Sequence, residues 1–347
     1  MPGAIGTGRR RVMWVDMAKG IAILCVVIGH SVDVGSLPKR LIYTFHMPLF
    51  FILAGWTFRL RPFGEELRRS AARLLAPYAL LFLVGPVRDE LGRAPALGAV
   101  DVAGLARSIA MGSGFDLPDG TARVGIAWFL AALFCARLLM CAVGHLCART
   151  GAPRAVQGAL VAALGALGLA AGWIGGVRLP LSLDVALVAT PLLWCGLQAR
   201  RLDLPRLPRE GAPAAAGMIA AAALWAASFA WSDMDMADRA YRAPLIALAG
   251  ALGASYALCL ACRLVEGRAP ALGRPLARAG RLSFTILAVH ATDWVIPWTY
   301  LPLLEGLPHP GLVAGALRAG YCLAWAELAA RTVPALAARR PGDGGES

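Results

Sequence analysis

Ten blocks of apolar residues, most of them close to twenty residues long, run through this chain near 14–33, 42–58, 73–87, 127–148, 155–173, 182–199, 214–232, 244–262, 282–301 and 312–330. A helix needs about 20 residues to cross roughly 30 Å of hydrocarbon. Backbone polar groups in lipid must also be satisfied within the spanning segment, which leaves a helix as the natural form for such blocks. Composition agrees: of the 347 residues 58% are hydrophobic and only 16% are charged, against about a quarter charged in a typical soluble domain. The expectation is an all-α integral membrane protein, a polytopic bundle of about ten transmembrane helices.

The net charge of +13 would suggest nucleic acid in a soluble protein, but the placement of the basic residues points to topology instead. With the N-terminus in the cytoplasm, twenty-two lysines and arginines fall in inside segments and nine outside, while Lys19, Arg137 and Arg318 fall within blocks. That bias predicts both termini cytoplasmic: a short segment 1–13, a bundle over 14–330 and a polar tail 331–347, all in one domain spanning 1–347, with membrane lipid as a partner and no nucleic acid. Asp16 and Lys19 interrupt the first block and no small-residue cleavage site follows His30, which argues against a secretory signal. All eight cysteines lie in or at the ends of blocks, so a disulfide framework is not expected. Cys259 and Cys262 have metal-ligand spacing but lack a second pair, and no metal site is expected. Residues 88–126 form the one long connection, whose stretch 97–111 is weakly amphipathic and suits an interfacial or re-entrant segment. The acidic outer loop 232–242 says little about orientation. No extramembrane enzyme domain is evident, so any chemistry is expected within the bundle or its loops.

Ionised groups inside a bilayer cost at least about 2.5 kcal/mol and normally face a partner or an aqueous cavity. Lys19 and His30 are eleven residues apart, about three turns plus roughly 20°, and so share a helix face about 16 Å apart. Asp16 lies one turn from Lys19, where the two can pair. His46 should open the second helix at the level of His30, and imidazoles at one depth suit proton removal from a hydroxyl. Arg69 and Arg73, spaced i, i+4 beside Arg68, can bind a polyanion or simply anchor the inner end of a span. Arg137, the pair His290 and Asp293, and Arg318 with Glu327 are further candidates. Trp128, Trp294 and Trp298 suit an aromatic belt or sugar stacking.

These residues stand in a familiar order. Asp16-Met-Ala-Lys19 followed by Gly29-His30-Ser31, FHMPLFFILAGW at 45–56, RLLAPY at 73–78, WFLAALF at 128–134 and LSFTILAVH at 282–290 resemble the successive signatures of the acyltransferase-3 family of integral membrane O-acyltransferases. Within it the pattern resembles bacterial members similar to the fucose 4-O-acetylase group. Two departures accompany the likeness: Ala54 stands where many relatives have serine, and Ser70 stands three residues before Arg73, where many have arginine.

The resemblance implies a multi-pass protein of the bacterial cytoplasmic (inner) membrane. It would move an acyl group, most commonly acetyl, from cytoplasmic acyl-CoA to a hydroxyl of a sugar or glycoconjugate at the outer side, with no permanently bound cofactor. It carries His30 over as the catalytic residue, as general base or transient acyl carrier, with Lys19 as its partner and Asp16 neutralising Lys19. Arg73 and Arg69 would hold the acyl-CoA phosphates, His46 would position the acceptor or orient His30, and Trp128 and His290 would face the acceptor. A homo-oligomer is compatible with this reading. The alternative is a secondary transporter or flippase, since buried Lys, His and Asp also build proton relays.

Overall fold

The computed structural model describes residues 12–97, 99–173, 178–202, 210–292, 301–304 and 306–332. The chain divides into two compact units, one formed by the segments up to Val34 and from Leu258 onward, the other by Gly35–Ala257. Arg9, Arg10, Arg11, Arg206, Arg209, Asp293, Trp294, Trp298, Arg339 and Arg340 lie outside the described residues.

The first unit is built around α1 (Met13–Gly29), which packs most extensively on α13 (Pro270–Arg281) and also on α14 (Ser283–Thr292) and α15 (Pro310–Thr332). The first N–H groups of a helix have no intrahelical acceptor. Here Glu266 supplies one, its Oε1 accepting from the backbone N–H of Met13 at 3.0 Å and of Trp14 at 3.3 Å. The α13 helix was not anticipated, because its sequence PALGRPLARAGR carries three charges in no apolar block. It forms because Gly273, Ala277 and Gly280, at i, i+4 and i+7, make a small buried face for α1, while Arg274 stays in the open.

The second unit contains α2 (Leu37–Tyr43), α3 (His46–Thr57), and a long helical run of α4 (Phe63–Ser70), a π segment (Ala71–Leu75), α5 (Ala76–Phe82), a second π segment (Leu83–Val87) and α6 (Arg88–Leu97). It continues with α7 (Val102–Met111), α8 (Trp128–Thr150), α9 (Arg154–Trp173), α10 (Leu183–Arg201) and α11 (Ala212–Trp231), followed by β1 (Asp233–Asp235) paired antiparallel with β2 (Ala240–Arg242), and by most of α12 (Pro244–Arg268). The central helix is α10, whose Val185, Val188, Leu192 and Leu193 are buried among α3, α8 and α9. Asp101 caps α7 by accepting from Gly104 N–H at 2.8 Å, and Gly112 ends it in the left-handed conformation.

Seven helices among the described residues are long and apolar enough to cross a membrane: Phe63–Gly92, Gly125–Thr150, Arg154–Gly172, Pro180–Arg201, Ala212–Trp231, Pro244–Arg268 and Pro310–Thr332. The other three apolar blocks also carry helices, α1, α3 and α14, of 17, 12 and 10 residues. The third block begins ten residues earlier than its hydropathy indicates, since FGEELRRS is already helical from Phe63. The loop 232–242 holds a two-stranded hairpin. All eight cysteines are free.

Candidate active site

In the first unit α1 carries Asp16 and Lys19 half-buried on successive turns and ends at His30, which retains helical φ/ψ and is exposed. Asp16 sits where α1 and α13 touch, its backbone carbonyl against Gly280. Across from His30, α14 presents His290, whose Nε2 lies 2.9 Å from His30 Nδ1, with ring centroids 5.1 Å apart and planes tilted by 31°. His290 is only 4% exposed. One residue further along, Ser31 Oγ donates to Val27 O at 3.0 Å and accepts from Arg318 Nη1 of α15 at 3.3 Å. Three helices therefore bring an imidazole pair, a hydroxyl and a guanidinium to the end of α1. Arg318 was noted beside Glu327, but Glu327 pairs with Arg278 of α13, at 2.6 Å and 2.8 Å through two parallel hydrogen bonds.

The other expected site residues belong to the second unit. His46 is buried at the start of α3, where its Nδ1–H donates to Ile42 O at 2.8 Å and its ring leans on Tyr43. Trp128 opens α8 and is buried, its indole against Gly114 and edge-on to Phe129. Arg69 is exposed and within 3.5 Å of Glu65. Arg73 is exposed within the π segment, a local widening that often accompanies functional positions. Its guanidinium lies within electrostatic reach of Arg69, Arg137, Arg61 and Glu66.

Behind these arginines is a buried network that the sequence reading missed. Glu66 is fully buried; its Oε1 accepts from Arg137 Nε at 2.8 Å and from Ser70 Oγ at 2.8 Å, and lies 2.6 Å from Arg137 Nη2. Arg137 Nε also reaches Ser70 Oγ at 3.1 Å, and its guanidinium stands over the Phe58 ring. The available signal was Arg137 itself, a cation near the middle of a 23-residue apolar helix that had to find a carboxylate. Ser70 thus contacts a guanidinium supplied by α8.

A second sealed network also went unread. Arg239 lies in the left-handed region at φ 61° between the hairpin strands, and its Nε donates to Asp184 Oδ2 at 2.7 Å with both side chains almost fully buried. Its Nη1 reaches Ser113 Oγ and Ala237 O, and its Nη2 reaches Ser182 Oγ. Ser182, itself at φ 51°, donates to Gly112 O at 2.7 Å. In the same hairpin, burial pushes the Asp235 carboxyl above its usual range, opposed by hydrogen bonds from Asp238 and Ala237 N–H. Among the described residues no three His, Cys, Asp or Glu side chains gather as a metal ion would require.

No curated protein matches the chain. The family model described as an acyltransferase domain of the acyltransferase-3 type matches residues 12–326, which takes in the imidazole pair and both arginine networks. The chain belongs to the acyltransferase-3 family and is an acyltransferase carried on a multi-pass helical membrane protein.

Proposed function

We propose that this protein is a membrane O-acyltransferase that takes an acyl group, in the first instance acetyl, from cytoplasmic acyl-CoA and places it on a hydroxyl of a sugar or glycoconjugate at the outer side. The observation that carries the proposal is the meeting of His30 with His290 at the end of α1, beside Arg318 and Ser31. A thioester reacts slowly with a neutral alcohol, and an imidazole that removes the alcohol proton as its oxygen attacks lowers that barrier, typically by a factor of about 10²–10⁴. His30 is exposed and can meet a substrate, whereas His290 is enclosed. The exposed guanidinia of Arg73 and Arg69 are assigned to the donor phosphates, with Lys19 the cation on the face of α1 that ends at His30. In this reading α1, α3 and α14 complete ten spans, both termini are cytoplasmic, the membrane is the bacterial inner membrane, and the activity is similar to that of the fucose 4-O-acetylase group.

The test is acetyl-CoA consumption by the purified full chain in lipid nanodiscs, compared with His30→Ala. The proposal expects at least about a hundredfold loss of turnover, the low end of general base catalysis. Equal turnover in the two proteins would reject it.

A further inference from the structure

The contact between His30 and His290 constrains more than position. At 2.9 Å the two ring nitrogens share one proton, since a hydrogen bond needs one N–H and one lone pair. Two arrangements satisfy it. If His290 Nε2–H donates, His30 Nδ1 is the acceptor and the proton of a neutral His30 ring must sit on Nε2, so that ring has no lone pair left with which to take a proton from an alcohol. If His30 Nδ1–H donates, His30 Nε2 carries the lone pair. A base that becomes an imidazolium during the reaction bears hydrogen on both nitrogens, and only the second arrangement accommodates that state without breaking the contact. A charge also costs less on an exposed ring than on an enclosed one, and His30 is exposed while His290 is 4% exposed.

We propose that His290 is the positioning residue of the transfer: its Nε2 accepts the Nδ1–H of His30, which locks His30 in the tautomer whose Nε2 lone pair meets the acceptor hydroxyl. This rests on the reading of His30 as the reacting imidazole. The acceptor O–H proton passes to His30 Nε2 as the oxygen bonds to the thioester carbonyl carbon. The tetrahedral adduct collapses with cleavage of the C–S bond, and the departing sulfur takes the proton from Nε2, giving ester and free thiol and returning His30 to its starting form. The Nδ1 proton stays in place throughout and holds the ring in register, much as a carboxylate holds the imidazole of a hydrolase triad. The same Nε2 attacks the thioester carbon if His30 carries the acyl group itself.

The chain has five histidines, few enough for the ¹⁵N spectrum of histidine-labelled full-length protein in nanodiscs to be assigned by single replacements. The two His30 nitrogen signals are those that vanish in His30→Ala. The expected result is a protonated Nδ1 and a bare Nε2 in the wild type, and a shift of His30 toward the Nε2–H form in His290→Ala. Turnover should fall about a hundredfold in His290→Ala with little change in KM for acetyl-CoA. It should recover at least about tenfold in His290→Gln, whose side-chain carbonyl can accept the same hydrogen bond. The glutamine variant keeps the test decisive should alanine at this buried position prevent folding. A wild-type His30 protonated on Nε2, or replacements at His290 that leave both the His30 tautomer and kcat unchanged, would overturn the proposal. The tautomer is measured without turnover, so its outcome is separate from that of His30→Ala activity, which tests the reading beneath.

Discussion

The two units of this protein rest on the same device and differ in where they keep their charges. In the first unit α1 and α13 touch through reciprocal glycines: a methyl group at Gly20 would fall on the carbonyl of Leu276, and one at Gly280 on the carbonyl of Asp16. In the second, α3 and α10 do the same, with Gly55 against the Leu193 carbonyl and Gly196 against that of Ile52. Helices in lipid gain no hydrophobic advantage from meeting one another, so close backbone approach at small residues is what holds them. Around the first crossing the polar groups remain reachable: Asp16 and Lys19 are half-buried, His30 is exposed, and Arg278 and Glu327 are each about a third exposed. Around the second, the carboxylates of Glu66 and Asp184 and the guanidinium of Arg239 are sealed. The same scaffold thus carries half-buried and exposed polar groups beside one crossing and sealed ion pairs beside the other.

The sharpest way to break this contrast is to remove half of a sealed pair. Asp184→Asn leaves Arg239 buried beside a neutral amide, and losing one partner of a buried ion pair costs about 3–5 kcal/mol. Because Arg239 also ties together Ser113, Ser182 and the hairpin residue Ala237, the loss should appear as a lower melting temperature and as proteolytic cleavage within 232–242. Adding Arg239→Met should restore more than half of the stability, since the double variant buries no unpaired charge. Thermal unfolding of the purified variants reads both. A single variant as stable as the wild type would show the pair to be incidental to the fold.

The glycine crossings come next and test whether their roles differ. Alanine at Gly280 or at Gly196 forces a methyl group into a backbone carbonyl, an overpacking of about 1–3 kcal/mol in either unit. The stability losses should be similar. Gly280→Ala also displaces Asp16, one turn before Lys19, so its turnover should fall several-fold at temperatures where the protein is still folded, whereas Gly196→Ala should keep the kcat of its folded fraction. Equal kcat in the two variants would dissolve the distinction between a crossing that serves chemistry and one that only braces.

Much of this architecture was legible because hydropathy reports what a segment buries or shows to lipid, and every one of the ten apolar blocks carries a helix. It fails where a helix is polar yet enclosed. FGEELRRS reads as a cytoplasmic loop, but Glu66 and Ser70 turn one face toward Arg137, about seventy residues away. The loop SDMDMADRAYR reads as solvated for the same reason: nothing local indicates that Arg239 finds Asp184, 55 residues earlier. Asp184 was the missed clue, an acid two residues inside the block 182–199 that needed a cation. His30 was picked out by its place on α1, with Lys19 on its own helix and His46 nearby in sequence expected to assist it, while the imidazole it meets is 260 residues away. Periodicity places a residue on a face. Which helix that face meets is a tertiary fact that spacing within one segment does not contain.

The mildest expected effect marks the boundary of the comparison. Arg278 and Glu327 form a doubly hydrogen-bonded ion pair in the first unit, bridging α13 to α15 through Nε–Oε1 at 2.6 Å and Nη2–Oε2 at 2.8 Å. With side-chain exposures of 37% and 32% it stays partly hydrated, and pairs in that setting are worth only up to about 1 kcal/mol because solvent screens the attraction and two long side chains lose freedom. Glu327→Gln should therefore lower the melting temperature by only a few degrees at low salt, and by less at high salt, where exposed charges are screened over about 3 Å at 1 M. Asp184→Asn should show little salt dependence, since ions do not enter a sealed pair. Melting curves of the two variants at low and high salt provide the comparison. If Glu327→Gln proved as costly as Asp184→Asn and as insensitive to salt, its pair would have to be enclosed in the assembled membrane protein, and the first unit would hold a sealed ion pair as the second does.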